Sequence, residues 1–208
     1  AAASGTIAII TDTIASPTTL KAINDFKSRF PNTKHVVFDA ISYNSITAAN
    51  EQMFGKAVVP SYDFGKADVI VGIGADFLGT WISPIEFTKQ YSKKRKVNKT
   101  EPKMSKHWQF ESIMSMAGAK ADKRFTVSPT EEGAVAVALL KELGGTGVSV
   151  TLDENVLKAV KQAAMELTEN KGKSLVVSGS RDSNVQMVVN AINNLLGNYG
   201  NTIDLNRP

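Results

Sequence analysis

The stretch Gly72-Ile73-Gly74-Ala75-Asp76-Phe77-Leu78-Gly79 is where this chain could do chemistry with its backbone. Glycines at the end of an apolar strand let a main chain approach a phosphate. A helix start beyond them supplies N–H donors and a positive dipole end. The spacing G-x-G-x-x-x-x-G departs from the dinucleotide fingerprint G-x-G-x-x-G, and no Walker lysine follows. Asp76 would repel a phosphate lying close by. A tight strand-to-helix turn is the simpler reading of this segment, and a nucleotide cradle the sharper one.

Side-chain chemistry is sparse. His35 and His107 stand far apart in sequence, and neither has a partner at metal-ligand spacing. Asp12 and Asp39 directly follow apolar runs and read as turn or cap residues, and Asp63, Asp68, Asp76 and Glu111 form no acid–base pattern. Gly179-Ser180-Arg181-Asp182 offers a serine, but it is not G-x-S-x-G and no histidine follows it, so a helix cap by Ser180 or Asp182 is expected. Cysteine is absent, which excludes thiolate metal sites, cysteine nucleophiles and disulfides within these 208 residues. Met104, Met114 and Met116 suit packing or a protein contact better than a cofactor.

The elements that must position these residues alternate strand and helix. Apolar runs at 6–10, 35–38, 67–74, 125–127 and 174–178 read as strands, with the first and the 67–74 run buried. Trp108-Gln109-Phe110-Glu111 alternates apolar and polar residues and reads as a further strand. Helices are expected after Ser16-Pro17, from Ser45 to Phe54, after Asp153, and along the apolar stripe Val185 to Leu196. Ser83-Pro84-Ile85-Glu86 and Ser128-Pro129-Thr130-Glu131 carry the capping-box spacing. The expected fold is α/β: a doubly wound, mostly parallel sheet with helices on both faces. It forms a single domain over 1–208, with possible sub-lobes 1–143 and 150–208 joined by a glycine-rich linker, 144–149. Such sheets bind ligands at the carboxyl ends of their strands.

Charge and hydropathy narrow the function classes. Lys89 to Lys106 holds eight basic residues against one acid, so this local +7 leaves −3 for the rest of a chain whose net charge is +4. The segment reads as a solvated helix end running into a loop, with an acidic partner or an anionic headgroup as alternatives. Nucleic acid fits least, because aromatic residues are not interleaved. No run of eighteen apolar residues exists to span a membrane. The start, Ala1-Ala2-Ala3-Ser4-Gly5, lacks the charged and apolar regions of a signal peptide.

Three stretches together resemble the molybdopterin oxidoreductase (DMSO reductase) superfamily. Tyr62 to Asp76 is similar to a strand that in that family ends in a Gly-Ala-Asn-Pro turn lining the pterin–guanine dinucleotide. Ala121-Asp122 with Phe125 to Ala134 resembles its Ala-Asp … Pro-Gly-Thr-Asp-x-Ala stretch. Ala191 to Gly200 resembles its helix ending in Leu-x-Gly-Asn. The family's Asn-Pro is Asp76-Phe77 here. Its Asp-Pro-Arg corresponds to Glu111-Ser112-Ile113, without the phosphate-pairing arginine, and its Pro-Gly-Thr corresponds to Ser128-Pro129-Thr130. Losing an arginine and gaining a negative charge both weaken the grip on a diphosphate.

Met104 to Ser115 resembles, more narrowly, the molybdopterin-oxidoreductase-like half of the iron–sulfur subunit of bacterial alternative complex III. That resemblance implies a cofactor-free structural domain excised from a larger subunit, with iron–sulfur clusters only elsewhere in the parent. It implies a place at the periplasmic face of the bacterial inner membrane, among the other subunits of a quinol-oxidising respiratory complex. Gly72, Gly74, Asp76, Gly79, Glu111, Ser180 and Asn184 are then the vestige of a dinucleotide site. The alternative is a domain of an active molybdopterin oxidoreductase that still contributes part of a molybdopterin guanine dinucleotide site, through Gly72, Gly74 and Gly79 with Ser180 and Asn184. A third reading, a soluble module for a small anion, requires an acid-free pocket at the strand carboxyl ends, and Asp76 counts against it.

Overall fold

The computed structural model describes residues 5–14, 16–97 and 102–207. Lys99 and Glu101 of the basic segment, and Ala1 to Ser4 of the start, lie outside the described residues. The chain divides into two compact units, 1–42 and 43–208.

The first unit is one strand–helix–strand turn. β1 (Ile7–Thr11) and β2 (Thr33–Val37) pair in parallel, with Ile7 opposite Thr33 and Thr11 opposite Val37. Between them runs α1 (Pro17–Arg29). Ser16 caps α1 through a hydroxyl that accepts from the Thr19 N–H, and Pro17 occupies a position whose N–H would be unpaired anyway. The expectation of a buried first strand is corrected. Successive side chains alternate sides, Ile7 and Ile9 are half-buried, and Ile10 is 70% exposed. A two-stranded sheet with one helix has cover for only one of its faces.

In the second unit the connections between strands set the architecture. β4 (Val69–Ile73), β5 (Lys106–Glu111), β6 (Lys123–Thr126) and β7 (Ser174–Ser178) form one parallel sheet in the order β6-β5-β4-β7. β4 and β7 are buried along their whole length, as strands covered on both faces must be. Val69, Val71, Ile73, Trp108, Phe110 and Val176 pack against α5 (Glu132–Glu142), α6 (Glu154–Glu169) and α7 (Ser183–Leu195). Ile70, Leu175 and Val177 face the other way, into a second core with Phe87 and Tyr91 of α3 (Pro84–Arg95), Ala117 of α4 (Met116–Lys120) and Ile46 of α2 (Asn44–Phe54). Each fully buried Ile, Leu or Phe stabilises by about 1.5–3 kcal/mol, so these two layers hold the sheet. β3 (Ser61–Tyr62) pairs antiparallel with β8 (Ile203–Asp204). The unit is therefore α/β, with a parallel four-stranded sheet flanked by helices.

Some local expectations give way to tertiary structure. Residues 144–149 do not divide the chain: they join α5 to α6, which pack together, and β7 beyond them hydrogen-bonds β4 within the same sheet. Neither capping box closes. Ser83 precedes α3 but its hydroxyl makes no cap bond, and Glu86 instead accepts from Gln90. At Ser128 only half the box forms: Glu131 accepts from the Ser128 N–H at 2.8 Å, and α5 starts at Glu132. Asp153 and Asp182 do cap α6 and α7. Among the described residues no helix is long and apolar enough to cross a membrane.

Candidate functional site

The carboxyl ends of β4, β5 and β7 converge where a doubly wound sheet offers its ligand site. Gly74 follows β4 in the left-handed region (φ +62°), which a side chain rarely adopts. Its N–H donates to the Phe110 carbonyl across to β5, and the Gly179 N–H donates to the Ile73 carbonyl across from β7. Gly179 lies against Gly74 so closely that an added Cβ would sit 2.7 Å from the Gly74 carbonyl carbon. Two connections thus meet backbone to backbone.

The space over each glycine is taken by the protein itself. A Cβ on Gly74 would lie 2.7 Å from the Glu132 carboxyl carbon, and one on Gly79 would lie 2.9 Å from that of Asp76. Asp76 Oδ1 accepts the Ala117 N–H at 3.0 Å, while its backbone carbonyl accepts from Gly79, Thr80 and Trp81. The Asp76 side chain therefore ties the β4–α3 turn to α4. Gly72 lies mid-strand under Gln109, and Gly118 lies under Glu111.

A buried polar row crosses the sheet on β5. His107, Gln109 and Glu111 alternate with Trp108 and Phe110, so all three point to the second core. Gln109 Nε2 donates to the Ala75 carbonyl and to Glu111 Oε2, both acceptors, which leaves Oε1 facing His107 Nε2 at 3.1 Å. His107 must then carry its proton on Nε2, and Nδ1 accepts from the Tyr91 hydroxyl, 3.2 Å away. Burial pushes the His107 pKa down to about 4, so the ring is neutral, fully enclosed and paired at both nitrogens. The same tyrosine hydroxyl lies 3.2 Å from the Lys120 carbonyl, so its single proton is shared between two acceptors, and burial raises its pKa to about 12.

Glu111 ends the row. It accepts from the Ser115 N–H (3.1 Å) and hydroxyl (2.6 Å), from Gln109, and from Arg124 Nε (2.7 Å). Burial alone would raise its pKa, but the bonds from Ser115 and Arg124 outweigh that and hold the carboxyl below its usual range. Glu132 is the opposite case. It is half-buried without a hydrogen-bond or ion-pair partner among the described residues, and burial followed by the charge of Glu111 raises its pKa. At the other end of β5, Asp122 accepts the His107 N–H and pairs with the Arg95 guanidinium at 2.7 and 2.9 Å. Burial opposes ionisation of Asp122, yet these bonds keep its pKa low.

The structure brings Gly74, Glu111 and Glu132 to one end of the sheet, with Asp76 and Gly79 in the turn beside them. Ser180 follows Gly179, which packs against Gly74, and Asn184 lies in the first turn of α7. Ser180 Oγ accepts the Asp182 N–H, and Asn184 bonds Asp182 in the first turn of α7. No hydrogen bond or ion pair among the described residues joins either of them to Asp76, Glu111 or Glu132. The sequence reading assigned no role to Glu132, Gln109, Arg124, Ser115 or Gly179. The alternation at 107–111 was the available signal for Gln109. Among the described residues no group of three His, Cys, Asp or Glu side chains could hold a metal.

A molybdopterin dinucleotide needs cationic or N–H donors at its diphosphate. At this edge Glu132 fills the space over Gly74, and the guanidinium of Arg124 is spent on Glu111. The residues do not fit that group. No protein-family model matches the chain, and no curated protein matches its sequence.

Proposed function

We propose that this chain is a cofactor-free structural domain of a molybdopterin-oxidoreductase-like subunit. Its parent would belong to a bacterial quinol-oxidising respiratory complex of the alternative complex III type, at the periplasmic face of the inner membrane. The fold would be the Rossmann-like domain of that superfamily, and its work would be assembly between neighbouring subunits. One observation carries the reading: the Glu132 carboxylate occupies the place over Gly74 where, by the resemblance, a dinucleotide would lie. The buried row His107–Gln109–Glu111 supports it, because a fully paired polar network adds rigidity and leaves no group free to react.

The test is direct. The purified chain is expected to carry no stoichiometric molybdenum by metal analysis, no pterin by mass spectrometry, and to give no binding heat with guanine nucleotides in calorimetry. Bound pterin nucleotide, or saturable guanine-nucleotide binding competed by pyrophosphate and strengthened by Glu132→Gln, overturns it in favour of a working dinucleotide half-site.

A further inference from the structure

The amino end of the sheet presents the reverse of its carboxyl end. A cleft of about 480 Å³ opens there between the start of β4, the end of α3, the start of β5 and α6. This is the size of a small-molecule site. Two carboxylates line it, and each is already answered. Asp68 accepts from Lys94 Nζ at 2.7 Å. Glu166 takes the Trp108 indole N–H at 2.7 Å and lies 3.6 Å from Lys106 Nζ. Three further lysines line the cleft, Lys93, Lys96 and Lys103, and none has an acidic partner among the described residues. The described residues lining the cleft thus carry an uncompensated charge of about +3, which a partly enclosed cleft concentrates. Val69, Pro102 and Met104 add apolar wall.

We propose that this cleft binds an organic phosphate through Lys93, Lys96 and Lys103. Separate ammonium groups suit a phosphate, whose oxygens point in several directions. A phosphate dianion gains more from such a charge than a singly charged carboxylate does, and the nearby Arg95 is already committed to Asp122. The apolar wall would take the organic part of the ligand. The phosphate could belong to a soluble compound or to a lipid headgroup, and the chemistry recognised is the same. This assignment stands independently of the structural role proposed above, since it concerns the opposite edge of the sheet.

The test titrates the full chain with inorganic pyrophosphate, and separately with phosphatidylcholine vesicles with and without phosphatidic acid, following backbone amides by NMR and binding by sedimentation. Saturable shifts confined to 93–97 and 102–106 with pyrophosphate support a soluble ligand. Sedimentation only with phosphatidic acid supports a headgroup. Lys96→Ala with Lys103→Ala is expected to weaken binding about tenfold or more, whereas Lys96→Arg with Lys103→Arg changes it less than about threefold. All four substitutions fall on exposed positions, so circular dichroism should remain that of the parent. The proposal is overturned if neither probe binds saturably, if sulfate and chloride reproduce the same shifts, or if the alanine pair binds as well as the parent.

Discussion

Replacing Gly72 by alanine tests whether the polar row on β5 depends on the glycine beneath it. In a strand interior this change should stabilise by about 0.5–1 kcal/mol, because alanine gives up less backbone freedom on folding. Here the new Cβ would sit 2.9 Å from the Gln109 carboxamide carbon and nearer still to its oxygen. The carboxamide would have to leave, abandoning the His107 N–H, the Ala75 carbonyl and Glu111. Gln109 is fully buried, so these groups find no water. Each unmade bond costs about 1–3 kcal/mol, partly offset by relaxation, and Gly72→Ala is expected to destabilise by about 3 kcal/mol. That is a large part of a typical stability of about 5–15 kcal/mol. Gln109→Ala should cost a similar amount. With both changes, however, the alanine at 72 fills space that the lost carboxamide vacated, and the double variant should be no worse than Gln109→Ala alone. Urea unfolding followed by far-UV circular dichroism measures all four corners of this cycle. Simple additivity, or a Gly72→Ala variant within about 1 kcal/mol of the parent, would refute the reasoning.

Three further outcomes are expected. His107 is neutral in the fold with its pKa lowered to about 4, so between pH 6.5 and 4 the unfolded chain binds the extra proton. Stability should fall by about 3 kcal/mol as pH drops through that window, and His107→Gln should flatten the slope there in urea titrations. Glu111 and Asp122, whose pKa values are lowered, begin to lose their contribution as pH falls through their unfolded values of 4.5 and 3.8, so the loss overlaps only the lower end of that window. Glu132, raised by burial and by Glu111, is least favourable when ionised, so Glu132→Gln should stabilise at pH 7 by about 0.5 kcal/mol and change nothing at pH 3, as thermal melts can show. Gly179→Ala drives a Cβ into the Gly74 carbonyl, where only backbone can move, and should cost about 3 kcal/mol or more in unfolding experiments.

Much of the fold was legible because its signals are local. The apolar runs at 69–73 and 175–177 announce strands covered on both faces, and the stripe from Val185 to Leu196 announces a helix, whatever lies around them. Ser16, Asp153 and Asp182 cap helices where their spacing says they should. Ser83 and Ser128 carry similar local signals, yet neither hydroxyl caps its helix: Glu86 accepts from Gln90, and at Ser128 only the Glu131 half of the box forms. Ile10 shows the limit from the other side: an apolar run predicts burial only where something exists to cover it.

The candidate site was legible in its glycines but not in their use. Periodicity and turn chemistry are set by residues a few positions apart, so the chain alone determined an α/β order with glycines ending its central strand. What fills the space over those glycines is decided by residues far along the chain, Gln109 over Gly72 and Glu132 over Gly74, brought there by sheet register and helix packing. A gap shaped for a ligand and a gap shaped for a distant side chain have the same sequence signature, because glycine only removes atoms. The tertiary structure alone supplies the group that takes their place.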